Sequence, residues 1–173
     1  MILAVDVGNS NTTVGLFNGT GELLFRALLE TSRSKTRDQC AIELLGVFQL
    51  YGADACTVDG AILSSVVPPL TTIFTGAIAR LTGIPPMVVG PGIRTGLNIK
   101  AEIHNQLGSD IVASSVAAIA KYPSPIVMVD MGTATSLSLI VGSVYEGCII
   151  MPGLALALDA LSERAAALPP ISI

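Results

Sequence analysis

The sequence predicts an α/β fold, and three observations carry that reading. Short apolar runs bounded by Gly, Asn and Pro alternate with stretches whose apolar residues recur at helical spacing. The hydrophobic content is high, 51% of 173 residues, yet only 4% is aromatic and Trp is absent, so the core is aliphatic. An apolar run ending in Asp-x-Gly near the N-terminus is repeated around residue 130, which points to a duplicated β-hairpin, one copy per lobe. The length suits one large domain or two small lobes sharing a cleft.

Residues 2–6 read as a buried strand ending in Asp6, 7–11 as a polar turn, and 12–17 as a second strand. Asn18-Gly19 signals a hairpin returning as a strand over 23–29. After a polar loop, Ala41, Leu44, Leu45, Phe48 and Tyr51 mark a helix that Thr36 or Asp38 would cap. A strand over 60–64 ends at Val67-Pro68-Pro69. There a second helix opens, with Leu70, Ile73, Phe74, Ala77, Ile78 and Leu81 along one face. Residues 87–89 read as a strand and 90–106 as a long loop, a length that often serves function. A helix from Ser109 to Lys121 precedes strands over 125–130, 136–141 and 144–146. Leu154, Leu158, Leu161, Ala165 and Leu168 stripe a last helix, which Pro169-Pro170 ends.

The bulk properties exclude several classes. The net charge is -4, and Arg33, Lys35 and Arg37 form the densest basic group, a solvated loop and no nucleic-acid surface. No stretch reaches the ~20 apolar residues of a spanning helix, and residues 1–5 run into Asp6 as a strand does, unlike a signal peptide. Cys40, Cys56 and Cys148 are widely spaced and read as three buried thiols in a reducing, cytoplasmic setting. His104 is the single histidine, and no nucleophile elbow exists to meet it.

The repeated motif has a chemistry. A phosphate chain needs backbone N–H donors and close approach, which glycine in a tight turn allows. Hydroxyl and amide side chains add neutral hydrogen bonds. A carboxylate at the strand end repels phosphate but holds a divalent cation that bridges to it. Asp6 with Gly8, Asn9 and Asn11 fits this pattern, and Asp130 with Gly132, Thr133 and Thr135 fits it again. Two such turns facing each other would clamp a nucleoside triphosphate. Neither a P-loop nor a G-x-G-x-x-G fingerprint is present.

VDVGNSNTTVGLF from residue 5, GPGIRTGLNIK at 90–100, LGSDIVASSVAA at 107–118, VDMGTATS at 129–136, and YEGCIIMPGL with DALSERAAALP at 145–169 together resemble the type III pantothenate kinases. The motifs run in order along essentially the whole chain. The resemblance implies the actin/Hsp70/sugar-kinase superfold, a duplicated ribonuclease-H-like mixed sheet with flanking helices. Residues 1–107 would form the ATP-phosphate-binding lobe and 108–173 the start of an incomplete second lobe. It implies transfer of the γ-phosphoryl group of ATP to pantothenate, the first step towards coenzyme A, in a homodimer that uses Mg²⁺ and K⁺ or NH₄⁺. Carried over by motif, Asp6, Val7, Gly8, Asn9, Ser10, Asn11, Thr12 and Thr13 would line the ATP phosphates, with Asp6 facing Mg²⁺. Gly132 and Thr133 would contact ATP, and Asp130 would hold K⁺. Gly108, Ser109, Asp110 and Ile111 would form the pantothenate side, with Asp110 as the catalytic base. A helix N-terminus would favour the negative charge of Asp110; on its residues alone Asp110 reads first as an N-cap, and the resemblance is what makes it the base.

Three departures fall on the acceptor side. Ile111 stands where the family has an arginine for the pantothenate carboxylate, Ala101 where it has a tyrosine, and Gly147-Cys148 where it has Gly-Gly. An arginine–carboxylate pair contributes roughly 1.5–3 kcal/mol, and isoleucine replaces none of it. Family members also continue beyond residue 169. Two alternatives therefore stay open: a kinase for another hydroxylated acceptor, and a non-catalytic nucleotide-binding or regulatory homologue.

Overall fold

The computed structural model of the protein describes residues 1–90, 93–100 and 107–164. These divide into two compact units, Met1–Ile93 with Gly108–Ala113, and Arg94–Leu107 with Ser114–Ile173.

The first unit is built on a five-stranded sheet in the order β3-β2-β1-β4-β5. β1 (Ile2–Val7), β2 (Asn11–Phe17) and β3 (Leu23–Glu30) form an antiparallel meander. β4 (Gly60–Ser65) lies parallel to β1 on its other side, and β5 (Met87–Val88) lies parallel to β4. Period-2 alternation puts Leu3, Val5 and Val7 on one buried face and leaves Asp6 on the other. α1 (Arg37–Leu50) and α2 (Pro68–Thr82) cover the buried face. Leu44, Phe48, Leu70 and Phe74 join Leu3, Val14 and Leu63 in one aliphatic core.

Local chemistry sets the element ends. The Thr36 side chain accepts the Gln39 N–H and the Gln39 side chain accepts the Thr36 N–H, a complete capping box at α1. Gly83 adopts the left-handed conformation that ends α2. The hairpin at Asn18 is real but longer than an Asn-Gly turn. The Asn18 side-chain oxygen accepts the N–H groups of Thr20 and Glu22, and Gly21 takes the positive φ of 82°.

The second unit carries a four-stranded sheet in the order β6-β9-β8-β7. β7 (Ile126–Met131), β8 (Ala134–Val141) and β9 (Val144–Pro152) form another antiparallel meander, and β6 (Asn98–Ile99) lies parallel to β9. Ile126, Ile140 and Tyr145 are buried, and the Tyr145 and Ser138 hydroxyls meet at 2.8 Å. α3 (Ser109–Lys121) begins in the first unit and continues in the second. α4 (Leu154–Arg164) buries no residue among those described.

The structure corrects four expectations. The segment 90–106 is not entirely loop, because Asn98 and Ile99 pair with Val144 and Tyr145. The last strand runs to Pro152 rather than ending at residue 146, its far half being held by pairing with β8. The buried stripe of α1 is Cys40, Leu44, Val47 and Phe48, whereas Leu45 and Tyr51 are exposed. Of the three thiols only Cys40 is buried; Cys56 and Cys148 are exposed. Among the described residues, no helix is long and apolar enough to cross a membrane. His104, Ala101 and the expected end of the last helix (Ala165, Leu168, Pro169-Pro170) lie outside the described residues.

Candidate functional site

The first turn joins β1 to β2. The Gly8 N–H donates to the Asn11 carbonyl at 2.9 Å and closes it. A Cβ at position 8 would sit 3.0 Å from that same oxygen, so the closeness of the turn depends on glycine. Asp6 is exposed and paired in register with Thr13, on the sheet face away from the core. Asn9, Ser10 and Asn11 are exposed, whereas Thr12 is buried and its hydroxyl meets that of Thr31 at 2.8 Å. The segment after β3 is fastened to the turn, since the Thr31 N–H donates to the Ser10 carbonyl at 2.9 Å. Val7 itself is a core residue and contributes backbone only.

The second turn, between β7 and β8, is similar but one residue shorter. Asp130 is next to last in its strand, as Asp6 is, and lies in register with Ser136. Gly132 follows the strand directly, and its N–H donates at 2.9 Å to the carbonyl of Ala134, the first residue of the next strand. In the first copy the glycine bonds likewise to the first residue of its next strand, Asn11. In both copies the glycine N–H is therefore spent inside the turn, but close packing needs the glycine only at position 8, since a Cβ at position 132 would lie 3.7 Å from the Ala134 oxygen. Thr133 is exposed, and its carbonyl accepts the Gly153 N–H at 3.0 Å. A Cβ at position 153 would run into the Gly132 oxygen and lie 2.6 Å from the Thr133 oxygen, so only glycine lets this segment lie against the turn.

Asp110 stands at the start of α3. The Val112 N–H donates to the Gly108 carbonyl at 3.1 Å, which makes Gly108 the cap and Asp110 the second helical residue. The Asp110 Oδ1 accepts the Ile111 N–H at 2.8 Å and folds back over the Gly108 Cα, where any Cβ would collide with it. Ser109 anchors this end of the helix to β4. Its hydroxyl accepts the Ser65 N–H at 3.0 Å, accepts from the Ser64 hydroxyl at 3.2 Å, and donates to the Ser65 carbonyl at 3.0 Å. Ile111 is half-buried and offers no polar group beyond its backbone. Lys100 is paired with Glu146. Arg94 is exposed and, among the described residues, has no ion-pair partner.

Among the described residues no three His, Cys, Asp or Glu side chains gather into a cage. Mg²⁺ commonly uses one or two carboxylates, several waters and substrate phosphates in place of an all-protein cage. Asp6 is an exposed carboxylate beside the first turn.

Several contacts of the site escape sequence reading. Ser64 and Ser65 give no motif, and Gly153 lies in a quoted segment without a role. Arg33 read as part of a solvated loop, yet it donates to the Asn9 side-chain oxygen at 3.4 Å.

A meander flanked by a parallel strand, with an Asp-x-Gly turn at its first hairpin and the same hairpin in a second unit, defines an α/β ATPase fold of the actin/Hsp70/sugar-kinase class. A solved Sinorhizobium meliloti protein described as a 2-dehydro-3-deoxygalactonokinase shares it, with a TM-score of 0.58 over 96% of this chain and 58% of its own. At 13% identity that likeness is one of fold alone. Sequence carries the assignment further. The type III pantothenate kinase family model matches residues 2–173. A type III pantothenate kinase from Listeria monocytogenes is 40% identical over 174 residues, covering 100% of this chain and 67% of the relative. One from a Geobacillus species is 41% identical over the same extent. The chain belongs to the type III pantothenate kinase family, and so to the phosphotransferases. It spans about two thirds of the length of these curated relatives.

Proposed function

We propose that the protein transfers the γ-phosphoryl group of ATP to the primary hydroxyl of pantothenate, giving 4'-phosphopantothenate, the first step of coenzyme A synthesis. The observation that carries this reading is the pair of Asp-x-Gly strand ends, each closed by its glycine N–H on the first residue of the next strand, in a chain that matches the family from residue 2 to residue 173.

In this reading Asp6 to Thr13 and Gly132–Thr133 hold the ATP phosphates. Residues 1–107 form the nucleotide lobe, and 108–173 begin the second. Asp6 would hold Mg²⁺, which when bound would offset charge on the phosphates, and Asp130 would hold K⁺ or NH₄⁺. Phosphoryl transfer asks little of the protein beyond positioning and charge stabilisation. Asp110 then needs only to accept the hydroxyl proton of the acceptor late in the reaction, which a carboxylate does. Its seat is rigid, because Ser109 is bonded to β4 on one side and Gly108 leaves room for the carboxylate on the other. The enzyme works as a cytoplasmic homodimer.

Ile111 favours a second reading, in which the acceptor is a hydroxylated compound without the carboxylate that an arginine would hold. Mass spectrometry separates the two. Incubation with Mg·ATP, K⁺ and pantothenate is expected to give phosphopantothenate. Turnover only with acceptors lacking the carboxylate would move the assignment to the second reading, and no phosphorylated product from any acceptor would overturn both.

A further inference from the structure

The basic group Arg33, Lys35 and Arg37 divides in the structure. Lys35 is committed, since its ammonium pairs with Glu43 at 2.9 Å and donates to the Glu30 carbonyl at 2.7 Å. The stem of Arg37 packs over α2, where a Cβ at Gly76 would come within 2.6 Å of the Arg37 Cδ. Arg33 is different. Among the described residues it pairs with no carboxylate, and its guanidinium donates to a neutral group, the Asn9 side-chain oxygen, at 3.4 Å.

That contact joins two others between residues 31–33 and the first hairpin. The others are the Thr31 N–H to the Ser10 carbonyl at 2.9 Å and the Thr31 hydroxyl to the Thr12 hydroxyl at 2.8 Å. The two Thr31 bonds fix where residues 31–33 run, so Arg33 is held beside Asn9 by the fold and not by its own weak bond. A guanidinium has five N–H donors in a planar fork and suits phosphate oxygens two at a time. A 3.4 Å bond to an amide spends one of them. The turn itself carries the Asp6 carboxylate, in a chain of net charge -4. Among the described residues of the first unit, Arg33 is the cation hydrogen-bonded to this turn, and a polyphosphate placed there would meet it.

We infer that Arg33 is a phosphate-binding residue of the nucleotide site, turning from Asn9 to the ATP phosphates when they occupy the first turn. The inference rests on the nucleotide reading proposed above. A charge-assisted fork contact of this kind is lost with the guanidinium, so Arg33→Gln weakens Mg·ATP binding about tenfold or more. Arg33→Lys recovers part of the affinity, because it restores charge without the fork.

Titration calorimetry with Mg·ATP on the whole chain tests this, with the thermal midpoint of each variant measured alongside. The expected result is measurable binding by the unsubstituted chain, a tenfold or greater rise in Kd for Arg33→Gln, an intermediate Kd for Arg33→Lys, and unchanged midpoints. Equal affinity of Arg33→Gln and the unsubstituted chain overturns the role of Arg33 and leaves the nucleotide reading standing. Absence of Mg·ATP binding by the unsubstituted chain overturns both. Weaker binding with a lowered midpoint also overturns the inference, because it makes Arg33 a folding residue.

Discussion

Ser109→Ala tests whether the start of α3 is held as described. The hydroxyl makes three hydrogen bonds to the end of β4, at 3.0, 3.0 and 3.2 Å. Two of them satisfy the Ser65 N–H and carbonyl. Those groups face away from β1, because it is the neighbouring Val66 N–H that donates to Val7, at 3.1 Å. The hydroxyl thus stands where a further strand would otherwise pair. At about 1 kcal/mol for each bond, and with half-buried backbone groups left unpaired, the loss comes to roughly 2–3 kcal/mol. For a chain of this length that lowers the thermal midpoint by roughly 4–12 °C. Circular dichroism melts read the midpoint, and amide exchange reads the Ser65 N–H directly. Ser109→Thr keeps an oxygen at the same place and loses less. A midpoint within about 1 °C of the parent, with Ser65 as protected as before, would refute the anchoring role.

Two further outcomes follow from single contacts. Gly153→Ala forces a Cβ into the backbone of the second turn, and backbone yields less readily than a side chain. The expected cost is at least ~2 kcal/mol, read as a lower thermal midpoint, and an unchanged midpoint would show that this segment does not rest on the turn. Alkylation under native conditions near pH 8 is expected to mark Cys56 and Cys148 and to spare buried Cys40. The Asp54 carboxylate, by hydrogen bond and by charge, holds the Cys56 thiol above its usual pKa. The thiolate is the reactive form, so labelling of Cys56 lags that of a free cysteine and gains as pH rises. Mass spectrometry showing Cys40 labelled, or Cys56 reacting as fast as free cysteine, would contradict this.

Much of the fold was legible because its signals are local. The capping box needs Thr36 and Gln39 three residues apart, and both are visible in the sequence. The alternation of β1 and the Pro-Pro start of α2 are equally short-range. The face of α1 was legible only in part. Ala41-Leu44-Leu45-Phe48 and Cys40-Leu44-Val47-Phe48 both obey helical spacing and share two residues, so periodicity leaves the stripe free by one position. Tyr51 instead stacks on Phe25 with ring centroids 4.7 Å apart, a contact that only the tertiary structure defines. β6 and the far half of β9 exist through their pairing partners, and no run of two residues announces a strand. At the site, the duplicated Asp-x-Gly turn was written in the sequence. The contacts that brace it were not, because Arg33 reaches back 24 residues to Asn9 and Ser109 reaches back 44 to Ser65.

The proposed phosphoryl transfer, with Asp110 as the base, is open to a direct test. ADP release in Mg·ATP and K⁺, with and without pantothenate, tests it when the unsubstituted chain is compared with Asp110→Asn. The amide keeps the shape of the carboxylate and removes its basicity, and a positioned general base contributes about 10²–10⁴-fold. The expected result is pantothenate-dependent ADP release that falls by at least about 100-fold in the variant, with the thermal midpoint preserved. Pantothenate-dependent release at the same rate in Asp110→Asn, or none in the unsubstituted chain, would contradict it.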